Sequence, residues 1–416
     1  MKELELYVHI PFCVRKCCYC DFLSMPADDS LRRHYVDKLI EEIRQNAPAC
    51  SQYQVSSIFL GGGTPSILPG VQIAEIMEAL RQNFTIGQEA EITLECNPGT
   101  ITRQKLVFYK MAGVNRLSLG LQSARNQELQ RIGRIHTFEE FLESFDLARK
   151  EGFSNINVDI MSALPGQALE DWMFTLKKVL EMRPEHISAY SLIVEEGTPF
   201  YEQYGEDELR RQQGETSFYL PTEETERQMY ELTREILADK GYLRYEISNY
   251  AQPGRECRHN IGYWQLTPYL GLGLGSSSYL EQVRFSNTSS LEEYLDGKFH
   301  NLTEILEMAK KQGKDLRSAR SQAKTDICLL NQRQQMEEFM FLGLRMTAGI
   351  SRKRFEEIFG RELESVYGNT VRKLQQQGLL KQNEGRVFLT EEGISVSNYA
   401  LSEFLLEVEE IEDCSL

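Results

Sequence analysis

The sequence lacks three features, each of which would assign it to a broad class of protein. No hydrophobic run approaches the roughly 18–20 residues that span a bilayer, so we do not expect an integral membrane protein. Positive charge is scarce: 46 Lys and Arg stand against 62 Asp and Glu, and the net charge of -16 argues against a nucleic-acid partner. The start, MKELELYVHI, lacks the charged-then-apolar layout of a signal peptide. We therefore expect a cytoplasmic protein, whose 41% hydrophobic residues are enough to form a core.

The nine cysteines are an odd number for a disulfide scaffold. Clustered thiols in a reducing compartment more often indicate metal or redox chemistry. One short segment contains four of them, namely Cys13, Cys17, Cys18 and Cys20. The others are scattered: Cys50, Cys96, Cys257, Cys328 and Cys414. We interpret the scattered cysteines as small buried hydrophobes or surface thiols, and the cluster as the candidate site.

Residues 1–240 repeat one pattern, a short apolar run followed by a longer helical segment. The runs are LELYVHI, SSIFLGG, AEITLEC, NRLSLGL, NINVDIM and HISAYSL. They are rich in Val, Ile, Leu and Phe without strict alternation, which is typical of strands buried on both faces of a parallel sheet. Six βα units in a row predict an α/β protein built on a partial (β/α)6 barrel.

Polar residues and glycines recur where these predicted strands end. They are His9, Pro11 and Cys13 after the first strand, Gly61–Pro65 after the second, then Glu95, Gln122, Asp159 and Ser191. In parallel barrels the functional site lies at the C-terminal ends of the strands. We therefore expect these residues to share one cavity.

Beyond the barrel the pattern changes, and we expect three further regions. In 241–300, YLRYEISNYA predicts a strand and PYLGLGLGSSSYL is rich in glycine. The polar region 301–334 predicts a helical linker whose solvated face carries Lys310, Lys311, Lys314, Arg317, Arg320 and Lys324. Residues 335–416 predict three helices and a short strand pair, an α-rich, winged-helix-like domain. Because it offers no basic recognition face, we favour a packing or partner role over DNA binding.

The segment Cys13-Val-Arg-Lys-Cys17-Cys18-Tyr19-Cys20 has the spacing C-x3-C-x2-C. Three thiolates can hold three irons of a [4Fe–4S] cluster and leave the fourth iron open to chelate S-adenosylmethionine. A reduced cluster would then cleave the sulfonium to a 5′-deoxyadenosyl radical. A zinc knuckle is the alternative, but zinc needs a fourth ligand and usually paired C-x2-C units. Cys18 could replace a neighbour, although the spacing favours Cys17.

YVHIPFCVRKCCYCDF resembles the radical-SAM signature of the oxygen-independent coproporphyrinogen III oxidase family. The resemblance continues through GGGTPS, EITLECNPG, GVNRLSLGLQS, IGRIHT, NVDIMSALPGQ and YSLIVEEGTP, and so covers nearly the whole chain. It implies a radical-SAM barrel with a [4Fe–4S] cluster on Cys13, Cys17 and Cys20.

The same resemblance implies roles for further residues, each with a structural alternative. Tyr7 and Tyr19 match aromatic or adenosine-contacting positions, where core packing is the alternative. Three residues, Gly62, Gly63 and Thr64, match the glycine turn that contacts S-adenosylmethionine, and Glu95 matches a carboxylate that contacts it. Another three, Gln122, Arg134 and Asp159, match positions that contact a second S-adenosylmethionine in the oxidase. For these three a structural polar network is the alternative.

Three features separate this chain from the oxidases. The cluster motif begins at residue 13, which leaves no room for their long N-terminal arm, and Phe22 stands where their signature has a fourth cysteine. The segment from Cys257 to Trp264 contains H-N-x-x-Y-W. All three are similar to the HemW-type haem chaperone branch, which implies haem binding without coproporphyrinogen oxidase activity. His259 is then the expected haem ligand, since imidazole is the commonest axial ligand and aromatic rings can flank a porphyrin; Cys257 is the alternative.

We therefore expect a haem carrier that delivers haem to apo-haemoproteins, membrane-bound respiratory enzymes among them. One alternative is a radical-SAM enzyme that oxidatively decarboxylates coproporphyrinogen III. Another is a radical-SAM enzyme that acts on haem itself by methyl transfer and ring opening.

Overall fold

Parallel strands form the centre of the fold in the computed structural model, which describes residues 1–297, 299, 301–312, 324–383 and 385–406. The strands are β1 Lys2–Ile10, β2 Tyr53–Gly62, β3 Ile86–Cys96, β4 Arg116–Gln122, β5 Ile156–Ser162, β6 His186–Ser191, β7 Leu243–Arg244, β8 Asn249–Ala251, β9 Tyr269–Leu272, β10 Ser277–Leu280, β11 Val283–Asn287, β12 Lys324–Leu329, β13 Ile350–Ser351, β14 Leu380–Asn383 and β15 Arg386–Leu389. Strands β1 to β6 pair in sequence order, each parallel to the next.

Helices follow most of these strands, as the βα pattern predicts. They are α1 Asp29–Asn46, α2 Gly70–Asn83, α3 Arg103–Met111, α4 Asn126–Arg131, α5 Phe138–Lys150, α6 Leu169–Met182, α7 Pro199–Gln212, α8 Glu223–Asp239, α9 Arg258–Trp264, α10 Leu291–Asp296, α11 Leu302–Gln312, α12 Gln332–Gly343, α13 Arg352–Phe359, α14 Leu363–Gln376, α15 Glu391–Ser395 and α16 Ser397–Ser402. Several of these helices have a side-chain N-cap. Thr137, for example, caps α5 and forms a full capping box with Glu140. Among the described residues, no helix has the length and hydrophobicity needed to cross a membrane.

The sheet is curved but not closed, so the predicted partial barrel is confirmed. Its full strand order is β12-β11-β10-β9-β1-β2-β3-β4-β5-β6-β8-β7. Strand β9 continues the parallel pairing beside β1, and β10 to β12 extend that edge as an antiparallel meander. At the other edge β8 runs antiparallel to β6.

The two faces of the barrel strands differ in chemistry. On β1, Leu4, Leu6, Val8 and Ile10 are fully buried in the same core as the inner side chains of α1. The alternating residues of β1, among them Glu5 and His9, are polar and still buried. Because successive side chains of a strand point to opposite faces, the apolar set packs under the helices and the polar set fills the barrel interior.

Two expectations about the region after the barrel are wrong. YLRYEISNYA does not form one strand: β7 and β8 are separate short strands that pair antiparallel. In the described part of the linker, 301–312 and 324–334, helix α11 and the start of α12 are helical, but Lys324 begins strand β12 and is buried rather than lying on a solvated face. Lys314, Arg317 and Arg320 lie outside the described residues. The domain limits at 240, 300 and 334 stay a prediction.

The C-terminal part has a core of its own. Helices α12, α13 and α14 are followed by the β14–β15 hairpin, to which β13 adds a third strand, as expected for a winged-helix-like domain. Partly buried residues of the barrel region, including Ile247 and Leu266, pack against this core.

A buried ion pair fixes the β9–β12 extension to α1. Lys324 Nζ lies 3.1 Å from Glu42 Oε1, and the two side chains are 1% and 0% exposed. The Glu42 carboxylate also accepts hydrogen bonds from Asn287 Nδ2 (2.7 Å), the Gly273 amide (2.8 Å) and the Tyr294 hydroxyl (2.7 Å). A buried pair with this many partners is expensive to break, because either partner alone would be an uncompensated charge.

We expect Lys324→Met to lower the free energy of unfolding by about 3–5 kcal/mol, since it leaves the Glu42 carboxylate buried without its cation. Lys311→Met is the matched control, because the Lys311–Glu307 pair is exposed on both sides and should contribute less than about 1 kcal/mol. Urea denaturation measures both. Equal, small losses in the two variants would contradict the structural role assigned to Lys324.

Candidate active site in the barrel

A cavity of about 260 Å³ opens at the C-terminal ends of the barrel strands. Its lining comes from the loop after β1, the turn after β2, the end of β3 and the inner faces of β4, β5 and β6. The parallel pairing brings these segments together, although they are far apart in the sequence. Of the residues expected to bind the cluster, S-adenosylmethionine or haem, all but Tyr7 and His259 line it: Cys13, Cys17, Tyr19, Cys20, Gly62, Gly63, Thr64, Glu95, Gln122, Arg134 and Asp159. Of the other strand-end residues expected to share it, five are not part of the lining: His9, Pro11, Gly61, Pro65 and Ser191.

The cysteine loop is fixed at its base by backbone hydrogen bonds. The amide of Cys13 donates to the Met25 carbonyl (3.0 Å), and the Met25 amide donates to the Pro11 carbonyl (2.8 Å). The Cys20 amide closes a turn onto the Cys17 carbonyl (3.3 Å). The loop therefore leaves β1, crosses the cavity mouth and returns beside its own start.

Cys18 does not line the cavity. Its backbone is held from both sides, since its amide donates to the Ile132 carbonyl (3.3 Å) and its carbonyl accepts from the Phe200 amide (3.0 Å). Its side chain packs against a hydrophobic cluster that includes Leu129 and Ile132. A Cβ on Gly133 would come within 2.9 Å of the Cys18 sulfur, so the glycine leaves room for it. Cys17 lines the cavity and Cys18 packs away from it, so this arrangement favours Cys17 as the candidate ligand.

The three cavity cysteines fit a cubane cluster. All three line the same cavity. Cys13 Sγ lies 3.3 Å from Thr64 Oγ1, and Arg134 Nη1 donates a hydrogen bond to Cys17 Sγ over 3.8 Å. Among the described residues, no three His, Cys, Asp or Glu side chains converge closely enough to hold one metal ion. In a [4Fe–4S] cluster each thiolate binds a different iron, so such convergence on one point is not required.

The glycine turn after β2 allows two strand ends to approach each other closely. Gly62 has φ +110°, and a Cβ there would lie 2.5 Å from the His9 ring. A Cβ on Gly63 would lie 2.8 Å from the Phe12 carbonyl oxygen. The Gly63 and Thr64 amides donate hydrogen bonds to backbone carbonyls at, and just after, the end of β1. Any side chain at either glycine would push the turn away from the cysteine loop.

Two carboxyl groups, those of Glu95 and Asp159, line one side of the cavity. Glu95 Oε2 accepts from the Gly62 amide at 3.1 Å, but burial and the nearby Asp159 raise its pKa to about 8. Burial also raises the pKa of Asp159, against hydrogen bonds from Asn157 Nδ2 (2.7 Å) and Ser118 Oγ (2.9 Å). A cation bound in this cavity would favour the ionised form of both carboxyl groups, and their negative charges would in turn stabilise the cation.

Arg134 and Gln122 belong to a polar wall formed by β3 to β6. Arg134 Nη2 donates to the Gly120 carbonyl (2.8 Å) and to Asn97 Oδ1 (3.0 Å). Gln122, with φ +71°, accepts a hydrogen bond from the Tyr190 hydroxyl (2.9 Å). Asn97, Gly120 and Tyr190 also line the cavity, and the sequence analysis missed them. Their positions at the ends of the third, fourth and sixth apolar runs were the available signal.

Tyr7 and His259 lie in the barrel interior beneath the cavity. The Tyr7 hydroxyl is 3.0 Å from His9 Nδ1, and its ring stacks on Phe59, which in turn stacks on His259 with centroids 5.2 Å apart. His259 is 1% exposed, and both ring nitrogens are engaged, with the Ser57 hydroxyl (2.8 Å) and the Tyr263 hydroxyl (3.0 Å).

Helix α9, which carries His259, is held in the barrel by Glu91 of β3. The Glu91 carboxylate accepts from the Arg258 and His259 amides (3.3 and 3.4 Å) and from Cys257 Sγ (3.4 Å). Burial, and then the charge of Arg116, lower the pKa of His259 to about 3. The imidazole is therefore neutral and built into the interior.

Comparisons with known proteins agree with this geometry. The model of the radical SAM superfamily matches residues 7–179, and that of the HemN C-terminal domain matches 330–396. The heme chaperone HemW of Bacillus subtilis (strain 168) is 35% identical over 97% of this chain and 99% of its own length. The chain belongs to the HemW family. A second HemW, from Escherichia coli (strain K12), is 37% identical over 66% of this chain and 70% of its own length.

A solved structure extends the likeness of this HemW family member to the whole fold. The coproporphyrinogen III oxidase HemN from Escherichia coli, described as a radical SAM enzyme, superimposes with a TM-score of 0.77. The match covers 97% of this chain and 90% of that one at 23% sequence identity. At that identity the likeness concerns the fold alone, an α/β radical-SAM architecture with a C-terminal HemN-type domain.

The pKa of Glu95 predicts a pH dependence of the ligand-free protein. Its folded-state pKa of about 8 lies above the 4.5 that is usual for a glutamic acid, so the folded state binds the proton more tightly. The protonated Glu95 therefore contributes its full stabilisation below pH 4.5, and this contribution is lost as the pH rises through about 8. We expect the melting-temperature advantage of wild type over Glu95→Gln to shrink as the pH rises through this window.

Thermal melts of the two proteins across this range measure the difference. Asp21→Asn, which changes an exposed carboxyl of the cysteine loop, is the control and should show no such trend. A constant difference between wild type and Glu95→Gln would show that Glu95 is ionised throughout.

Proposed function

We propose that this chain is a haem carrier that also binds a [4Fe–4S] cluster and S-adenosylmethionine, and that it delivers haem to apo-haemoproteins. Its membership of the HemW family, whose named relatives are heme chaperones, carries the haem part of the proposal. The cavity that combines three cysteines, a glycine turn and two carboxyl groups carries the rest. We expect it to act in the cytoplasm, because clustered thiols suit a reducing compartment. Membrane-bound respiratory enzymes are candidate recipients.

Each part of the cavity has a task in this proposal. The thiolates of Cys13, Cys17 and Cys20 would hold the cluster, and Arg134 would offset their negative charge. A cluster of this type can pass an electron to bound S-adenosylmethionine. The turn at Gly62 and Gly63 gives the ligand close access to the backbone without a side chain in between.

The carboxyl groups of Glu95 and Asp159 suit a cationic ligand. S-adenosylmethionine brings a sulfonium and an ammonium group, and either would favour ionisation of a carboxyl group next to it. Tyr19 lies at the cavity wall, with its ring near Phe200, and is the aromatic residue that we propose as a contact for the adenine. Tyr7 supports the cavity from below and would act through His9 and the strand ends rather than by direct contact.

Haem ligation by His259 requires a rearrangement of α9. The imidazole would have to leave either Ser57 or Tyr263, and the helix would have to move out of the barrel, where Glu91 holds its N-terminus. The haem-bound state proposed here therefore differs from this one at α9. The cavity with its cysteines does not have to change.

The cluster ligands are tested one by one. We expect Cys13→Ala, Cys17→Ala and Cys20→Ala each to abolish the iron and sulfide content and the visible absorbance after anaerobic reconstitution, because three thiolates are the minimum for this type of cluster. Cys18→Ala is the matched control and should keep them, since its side chain packs into the hydrophobic cluster. Loss of the cluster in Cys18→Ala alone, with Cys17→Ala intact, would reverse the assignment.

The haem proposal is tested by titration of the purified protein with haem in both redox states. We expect a Soret band. We expect His259→Ala to weaken haem binding roughly tenfold or more, because losing the proposed iron ligand should cost at least as much as losing a residue that supports a ligand. His34→Ala, an exposed histidine on α1, is the control. No haem binding in either redox state would sink the carrier proposal. Protoporphyrinogen formed at catalytic turnover, in an anaerobic assay with reductant and S-adenosylmethionine, would do the same.

A further inference from the structure

A second cavity, of about 110 Å³, lies between the end of α9 and the C-terminal domain. It is separate from the barrel cavity and has a different chemistry. Its lining combines an apolar set, Trp264, Phe339, Met346 and Ile350, with two arginines, Arg354 and Arg386. Both arginines are exposed, whereas Phe339, Met346 and Ile350 are buried. The cavity therefore has an apolar floor and a cationic rim, and we call it the Trp264 pocket.

Among the described residues the two arginines have no acidic partner, although the protein carries a net charge of -16. Their hydrogen bonds go to backbone carbonyls: Arg354 Nη2 donates to Gln265 (3.3 Å), and Arg386 donates through Nε to Ala348 and through Nη2 to Gly349 (both 2.7 Å). A guanidinium has five N–H donors, so each side chain keeps donors free. Two unpaired arginines beside one apolar cavity are complementary to carboxylates carried on an apolar body.

Trp264 contributes a polar atom as well as a ring to this region. Its indole N–H is buried and has no hydrogen-bond partner among the described residues. The Arg345 guanidinium lies over the ring, 4.6 Å from the centroid. The H-N-x-x-Y-W motif thus has two ends in different surroundings: His259 is enclosed in the barrel, and Trp264 borders an open pocket.

We propose that the Trp264 pocket binds the propionate-bearing edge of haem, with Arg354 and Arg386 as the partners of the two carboxylates. This inference rests on the proposed haem-carrier function and specifies where the porphyrin is held. Haem is a flat apolar macrocycle with two carboxylates on one edge. The carboxylates would pair with the two exposed arginines at the rim, and the ring carbons next to them would contact the apolar lining. A volume of about 110 Å³ accepts an edge of the macrocycle and not the whole of it.

The pocket is available without any change in the fold. A haem held there contacts the motif through Trp264, the last residue of α9. Iron coordination by His259 requires α9 to leave the barrel, which would also move Trp264. The proposal therefore concerns haem bound while α9 lies in the barrel. A monocarboxylate such as a peptide C-terminus would use one arginine only, so the requirement for both arginines distinguishes haem from that occupant.

The first test compares haem titrations of wild type, Arg354→Gln/Arg386→Gln and a matched control. We expect the double variant to raise the haem Kd at least tenfold, because two charge-assisted contacts are lost together. The control, Lys353→Gln/Arg372→Gln, removes two exposed charges from the same domain and should stay within twofold of wild type. Equal affinity of wild type and the Arg354/Arg386 variant would overturn the proposal, and so would an equal loss in the control.

The second test keeps wild-type protein and changes the ligand, so it does not depend on how a variant folds. Haem dimethyl ester lacks the free propionates, and we expect wild type to bind it at least tenfold more weakly than haem. The double variant should no longer distinguish the two ligands. If wild type binds both equally, the propionates are not recognised and the proposal fails. If wild type binds neither, the haem-carrier function itself fails instead.

Discussion

The parallel pairing of β1 to β6 is the constraint on which the rest of the structure depends. It places the C-terminal ends of six strands at one edge, so the cysteine loop, the glycine turn and Glu95 share a cavity although long helices separate them in the sequence. The same pairing turns one face of the strands toward an interior, on the side opposite the helices that follow the strands. That interior is filled with polar side chains, whose hydrogen bonds fix α9 inside the barrel.

The sequence predicted the barrel and most of its site, for physical reasons. Parallel strands that are buried on both faces appear in the sequence as nearly continuous apolar runs. Polar residues at the ends of such runs are therefore easy to identify. Glu95 and Asp159 could be placed in the same cavity as the cysteines because they lie at or near strand ends, which the parallel fold brings together. Arg134, which follows α4 rather than a strand, was expected from the family resemblance alone. The choice between Cys17 and Cys18 needed coordinates, since it depends on which sulfur faces the hydrophobic cluster beside Gly133.

What the sequence could not predict depends on contacts between distant segments. Lys324 was expected on a solvated face because its neighbours are basic, yet it is buried on Glu42, a partner at the far end of the chain. His259 was expected to be a haem ligand flanked by aromatic rings, yet one of those rings belongs to Tyr263, whose hydroxyl engages a ring nitrogen of His259. Trp264, at the other end of the H-N-x-x-Y-W motif, borders the open pocket. That pocket forms where the C-terminal domain packs against the end of α9, which the sequence does not reveal.

The central claim is that the barrel cavity is one site, in which the three cysteines and the carboxyl groups serve a cluster and S-adenosylmethionine together. Electron paramagnetic resonance of the reduced, reconstituted protein tests it most directly. The account predicts the signal of a reduced [4Fe–4S] cluster whose g-values change when S-adenosylmethionine is added, because the ligand binds beside and onto the open iron. A cluster signal that is the same with and without S-adenosylmethionine would contradict it.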